Sequence, residues 1–196
     1  MFDFTPSRLL RAAVLVAITT ACVACTASGE PTTGEDYLLG TVVRIAVYDE
    51  GYDNRIIDRA LERVATIEAR MSTSEDDYDD TELLRVNRAP AGTPTRVSPD
   101  TYEVLTAALE YSRQTDGYFD VTIFPLVRLW GIGSGGDSVP PEAAIERARD
   151  LVDYRDLELA PDQTVIMARE GMGVDVGAIA KGYAADEAER ILRDAG

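Results

Sequence analysis

The sequence predicts an α+β fold, with mixed sheets and flanking helices rather than a doubly wound parallel sheet. Three observations lead there. Runs rich in β-branched residues mark strands, and segments of helical period mark helices. The two kinds are mixed without a regular strand–helix–strand rhythm. Hydrophobic residues make up 45% of the 196, enough to bury a core.

The elements follow in chain order. Residues 1–25 read as a secretory signal: Arg8 and Arg11 give a positive start, and an apolar stretch opens at Ala12 and reaches Ala24. That stretch is too short for a stable membrane-spanning helix. Both cysteines, Cys22 and Cys25, stand at its end after small residues, a pattern that resembles a bacterial lipobox. Diacylation of either would tether the protein outside the cytoplasmic membrane. The alternative is an ordinary secretory signal with incidental cysteines. Residues 26–36 have the polar composition of a linker, and the folded body is expected over residues 37–196.

Within that body, residues 37–48 predict a strand, with Val42, Val43, Ile45 and Val47 on it. Residues 53–71 predict an amphipathic helix through Ile57, Leu61, Val64 and Ile67. An acidic loop covers 72–80, and a short helical turn capped by Thr81 covers 81–86. Ser98-Pro99-Asp100 opens a second helix, closed by Thr115-Asp116-Gly117. Residues 119–130 are apolar but broken by Pro125, and 131–138 form a glycine-rich loop. A helix over 140–151 comes next, followed by a hairpin pairing 157–159 with 165–167. A short strand at 174–176 and a helix over 178–195 end the chain. The last helix has an amphipathic face of the kind that further chain would cover, so these residues are expected to be the front part of a longer protein.

Charge narrows the function. Acids outnumber bases 35 to 19, a net charge of -16, which repels phosphate backbones and anionic lipid and excludes a general nucleic-acid binder. There is no histidine, which removes histidine triads and histidine zinc sites. Lys181 is the single lysine, so any site that needs one has one position to draw on.

That lysine lies in the densest chemical segment, Asp175-Val176-Gly177-Ala178-Ile179-Ala180-Lys181-Gly182-Tyr183. An acid runs through glycine into a helix start, where small residues admit a ligand close to the backbone and helix N-termini favour anions. A plain turn with a solvated lysine is the competing reading. A second segment, Asp116-Gly117-Tyr118-Phe119-Asp120-Val121-Thr122, sets aromatics beside an acid, as a site for a planar ring would, or as a helix stop and turn would. The glycines at 131, 133, 135 and 136 lack the spacing of a dinucleotide fingerprint.

Taken in order, Leu39-Gly40-Thr41, Met71-Ser72-Thr73, Glu82-Leu83-Leu84-Arg85-Val86-Asn87, the Asp116 segment with Leu129-Trp130-Gly131, and the Asp175 segment form a series. The series resembles the ApbE family, the FAD:protein FMN transferases of the bacterial envelope, over residues 37–196. The resemblance implies FAD as the substrate and magnesium as the cation. It implies transfer of FMN to a threonine or serine hydroxyl of an acceptor flavoprotein subunit, with AMP released. A non-catalytic FAD-binding envelope lipoprotein is the alternative. Carried over by motif, Leu39, Ser74, Tyr118, Phe119, Asp120, Asp175 and Lys181 are expected at the flavin, and Ala178 is expected to give magnesium its carbonyl. The carboxylate and hydroxyl ligands of the metal belong to a family motif, Ala-x-x-Asp-x-x-x-Thr, absent from these residues. The fragment alone is therefore expected to be inactive.

Overall fold

The structure, a computed structural model, describes residues 30–49, 51–136 and 138–196. The expected signal, with Cys22 and Cys25, lies outside the described residues. Among those described, no helix is long and apolar enough to cross a membrane. Over the described residues the fold is α+β, with two small antiparallel sheets and six α-helices.

Strands β1 (Thr32–Leu38) and β2 (Thr41–Val47) form a hairpin, with Tyr37 opposite Val42 and Leu38 opposite Thr41. Its turn is Leu39-Gly40, both with positive φ, 54° and 69°. Such two-residue turns match the twist of paired strands. The hairpin corrects two expectations. The strand expected over 37–48 is two strands, and residues 32–36 of the expected linker are β1. Their polar composition disguises a strand that is made by its partner: β-branched β2 supplies the ladder, and Gly34 lets β1 lie against the first helix. A Cβ on Gly34 would stand 2.6 Å from Ile57 Cγ2.

That helix, α1 (Asn54–Met71), is the centre of the packing. Asp53 caps it, and Ile57, Ala60, Leu61, Val64, Ile67 and Met71 are buried along one face. Each large apolar side chain removed from water contributes about 1.5–3 kcal/mol. Helix α2 (Glu82–Arg88) begins at Thr81, whose hydroxyl accepts the Leu84 N–H. Strand β3 (Thr95–Arg96) leads to Ser98, which caps α3 (Pro99–Gln114) as expected.

The apolar 119–130 stretch resolves into a turn and a short helix, α4 (Phe124–Trp130). Pro125 does not break it, because a proline in the first turn lacks only an N–H that would have no helical partner. Gly131, at φ 61°, ends it. Helix α5 (Glu142–Arg149) and a 3₁₀ turn (Tyr154–Asp156) precede β4 (Leu157–Ala160) and β5 (Thr164–Met167). The second sheet has the order β3-β5-β4. Helix α6 (Ala180–Asp194) packs along α1.

The strand expected at 174–176 is not one. The segment has no regular secondary structure and pairs with no ladder, and the Val174 N–H and carbonyl and the Asp175 N–H are met individually.

Candidate functional site

Three chain segments meet at the C-terminal end of α1. Ser72 ends the helix, its N–H donating to the Glu68 carbonyl at 2.8 Å, and the chain then turns through Thr73 and Ser74. The turn is tied twice: the Thr81 hydroxyl donates to the Ser72 carbonyl at 2.7 Å, and the Ser74 hydroxyl donates to Asp77 Oδ2 at 2.7 Å. Facing it is the Asp175 loop, and the 131–134 loop after α4 forms a third wall.

Together they enclose a cleft of ≈ 610 Å³, within the ordinary range for a small-molecule site. Leu39, Ser74, Asp175, Ala178 and Lys181 all line it, although they come from three separate parts of the chain. Leu39 enters at the hairpin turn with φ 54°, a conformation costing a residue with a Cβ about 1–2 kcal/mol. Strain of this kind gathers at ligand sites. The expected flavin triplet sits apart from them. Tyr118 and Asp120 line a second cavity of ≈ 360 Å³, and Phe119 packs against the core. Asp120 is engaged locally: it accepts from the Thr122 hydroxyl at 2.6 Å and from the Tyr154 N–H at 2.9 Å.

Asp175 is held by neutral donors. Thr73 Oγ1 donates to its Oδ2 at 2.7 Å, and the Gly177 N–H donates to its Oδ1 at 2.8 Å. Among the described residues no cation pairs with it. Its charge is therefore oriented but not neutralised, and its remaining lone pairs can accept hydrogen bonds from a ligand. Lys181 is exposed on the first turn of α6, with Nζ 3.5 Å from the Gly177 carbonyl. With Arg128 it supplies the positive charge on the cleft wall, against Glu68, Asp77 and Asp175 among the acids.

Sequence reasoning missed Arg128, Phe124 and Ile132 as cleft residues. Phe124 and Ile132 add an apolar surface suited to a flat ring. The signal for Phe124 was present in Gly173: a Cβ there would stand 2.4 Å from Phe124 Cδ1, so only glycine admits the ring at this distance. The 131–136 loop carries no fingerprint spacing, yet its residues Ile132, Gly133 and Ser134 reach the cleft.

A second polar cluster lies away from the cleft, where α1, α3 and α6 cross. Arg63 donates to both oxygens of Asp100, at 2.7 and 2.8 Å, and its Nε donates to Glu187 at 2.8 Å. Arg70 and the Tyr183 hydroxyl also donate to Asp100. The Arg63 hydrogen bond holds the Asp100 carboxyl below its ordinary range, against the opposing effect of burial. Glu187 is lowered too, first by Arg190 and then by Arg63. Burial pushes the Tyr183 phenol up, and its bond to Asp100 adds to the shift.

The arrangement of the cleft can be set beside known proteins. Residues 39–196 match the ApbE family. An FAD:protein FMN transferase of Klebsiella pneumoniae (strain 342) is 33% identical over 159 residues, covering 80% of this chain and 48% of that protein. One from Treponema pallidum (strain Nichols) is 31% identical over 165 residues, covering 80% and 45%. The chain thus spans about half the length of the curated relatives it matches. In structure it is similar to the ApbE protein of Thermotoga maritima, with a TM-score of 0.77 at 29% identity, over 85% of this chain and 53% of that one. Flavin transferase ApbE from Vibrio cholerae superimposes with a TM-score of 0.73 at 25% identity, over 85% and 55%. The motif order, the fold and the match over 39–196 agree, and the chain belongs to the ApbE family.

Proposed function

We propose that this chain carries the flavin-holding part of an FAD:protein FMN transferase. A threonine or serine hydroxyl of an acceptor protein attacks the phosphorus on the FMN side of the FAD pyrophosphate. The new P–O bond forms as the bond to the AMP phosphate breaks, so FMN becomes a phosphoester of the acceptor and AMP leaves with the proton. One observation carries the reading: Leu39, Ser74, Asp175, Ala178 and Lys181, motif positions far apart in sequence, line a single cleft in a chain of this family.

The residues have distinct tasks in it. Asp175 accepts hydrogen bonds from the bound flavin dinucleotide. Lys181 and Arg128 meet the phosphate charge, the lysine as a point charge and the arginine as a planar fork. Phe124 and Ile132 exclude water from one side of the ring. Tyr118 and Asp120, which the family resemblance also assigns to the flavin, line the second cavity, and Phe119, assigned with them, packs against the core.

Magnesium dependence belongs to the same proposal. A hard cation takes about six oxygen ligands. Among the described residues no group of three or more His, Cys, Asp or Glu side chains gathers to hold one. Ala178, whose carbonyl the family resemblance assigns to the cation, lines the cleft, and these residues would need further oxygen ligands to build the site.

The protein as the cell makes it is incubated with FAD, magnesium and an acceptor bearing a threonine, and AMP release and covalent flavin on the acceptor are measured. Both are expected. FAD binding without either product would establish the binding-protein alternative instead, and no FAD binding would overturn both. We further propose an extracytoplasmic, lipid-anchored location through Cys22 or Cys25. Fatty-acid labelling of wild type and of the two Cys→Ser variants tests it, and an unlabelled wild type rejects the anchor.

A further inference from the structure

A buried segment outside helix and sheet must find partners for its backbone among side chains, other backbone groups or water. At Val174, which is fully buried, water is excluded, and one side chain meets both groups. The Val174 N–H donates to Asn87 Oδ1 at 2.7 Å, and Asn87 Nδ2 donates to the Val174 carbonyl at 2.9 Å. A single amide stands in for a neighbouring strand. The next N–H, that of Asp175, donates to the Val121 carbonyl at 3.0 Å. From there the Asp175 side chain turns into the cleft to meet Thr73 and Gly177.

Asn87 itself does not line the cleft. It lies in the last turn of α2, the helix whose cap, Thr81, holds the Ser72 carbonyl at the opposite wall. One short helix therefore fixes both sides of the Thr73–Asp175 contact. We infer that Asn87 is a positioning residue, setting Asp175 for the ligand by fixing the backbone of the residue before it. The inference rests on the reading of this cleft as the flavin site. The chemistry is particular to asparagine at this place. Aspartate would keep the acceptor and lose the donor, and alanine would leave both groups of Val174 buried and unmet.

The test uses Asn87→Ala, Asn87→Asp, Asp175→Asn and the double variant Asn87→Ala/Asp175→Asn, in the protein as the cell makes it. Amide hydrogen exchange is followed by segment. In Asn87→Ala the 174–177 segment is expected to exchange at least about tenfold faster, with α1 and α3 unchanged. FAD titration is expected to show about tenfold weaker binding for Asn87→Ala. The double variant should bind no more than about twofold more weakly than Asp175→Asn alone, because both changes act through one carboxylate. A merely structural asparagine would give losses that multiply. If Asn87→Ala fails to fold, Asn87→Asp carries both measurements. Multiplying losses, or unchanged exchange at 174–177, would overturn the inference. Should the wild type bind no FAD, the flavin reading falls, and exchange alone decides whether Asn87 fixes this loop.

Discussion

Asp100 and Asp175 are both partly buried carboxylates, and their surroundings differ in kind. Asp100 is met by two arginines and a phenol, and it ties α1 and α3 to α6. Asp175 is met by a hydroxyl and a backbone N–H, with no cation paired to it among the described residues. The first carboxylate spends its charge on the fold. The second is aimed with equal care but keeps its charge available. Full neutralisation marks a cross-link, and orientation by neutral donors marks a site that something else completes.

The strongest way to break the contrast is Asp100→Ala. Arg63 would keep Glu187, but Arg70 and Tyr183 would lose their acceptor at a crossing of three helices. Losing charge-assisted bonds in a half-buried cluster costs about 3 kcal/mol. For a domain of this size that lowers Tm by about 6–12 °C. Flavin affinity measured on the folded fraction should stay within about twofold. A loss of affinity larger than the loss of stability would erase the distinction between the two aspartates.

Asp175→Asn should do the reverse. Removing a charge-assisted hydrogen bond costs about 1.5–3 kcal/mol, or roughly ten- to a hundredfold in FAD affinity. The melting curve should move by no more than about 1 kcal/mol, the value of a local cap. Flavin titration beside thermal melting checks both halves. Unchanged affinity with a clearly lower Tm would make Asp175 one more structural carboxylate.

Two glycines repeat the comparison at smaller scale. An alanine at Gly34 meets Ile57 in the core, and an alanine at Gly173 meets the ring of Phe124 at the cleft. Overpacking costs about 1–3 kcal/mol in either place. Gly34→Ala should lower Tm and spare FAD binding, whereas Gly173→Ala should weaken binding several-fold as the ring is driven toward the ligand. Equal effects on binding would show that Phe124 does not shape the cleft.

Much of this was legible in the chain. The caps Thr81 and Ser98 act within three residues, so local pattern suffices to find them. The same holds for α1, whose apolar period is its own. Leu39, Ser74, Asp175, Ala178 and Lys181 were readable because motif order carries them. What stayed hidden depends on partners far off in sequence. β1 looks like linker until β2 pairs with it. Residues 174–176 look like a strand, yet their partner is Asn87, a side chain 87 positions away. Arg63, Asp100 and Glu187 read as three ordinary surface charges on three helices until the helices cross.

The smallest expected effect is a dependence on acid that belongs to one aspartate. The folded state lowers the Asp100 carboxyl from its ordinary 3.8 and the Glu187 carboxyl from 4.5. A carboxylate lowered by folding adds stability that is fully present above its unfolded value and is lost as pH falls through the folded one. At neutral pH the contribution is therefore complete. On acidification the unfolded chain takes up these protons first, and stability declines from about pH 5 downward. Asp100→Asn keeps the shape but removes one of the titrating groups, so its Tm should start lower at neutral pH and fall less steeply between about pH 5 and pH 3. Melting curves of wild type and variant across that range make the comparison, with the many exposed acids common to both. Parallel slopes would mean that the Arg63–Asp100 contact does not govern the ionisation of Asp100, and the cross-link would then owe its strength to packing of the three helices alone.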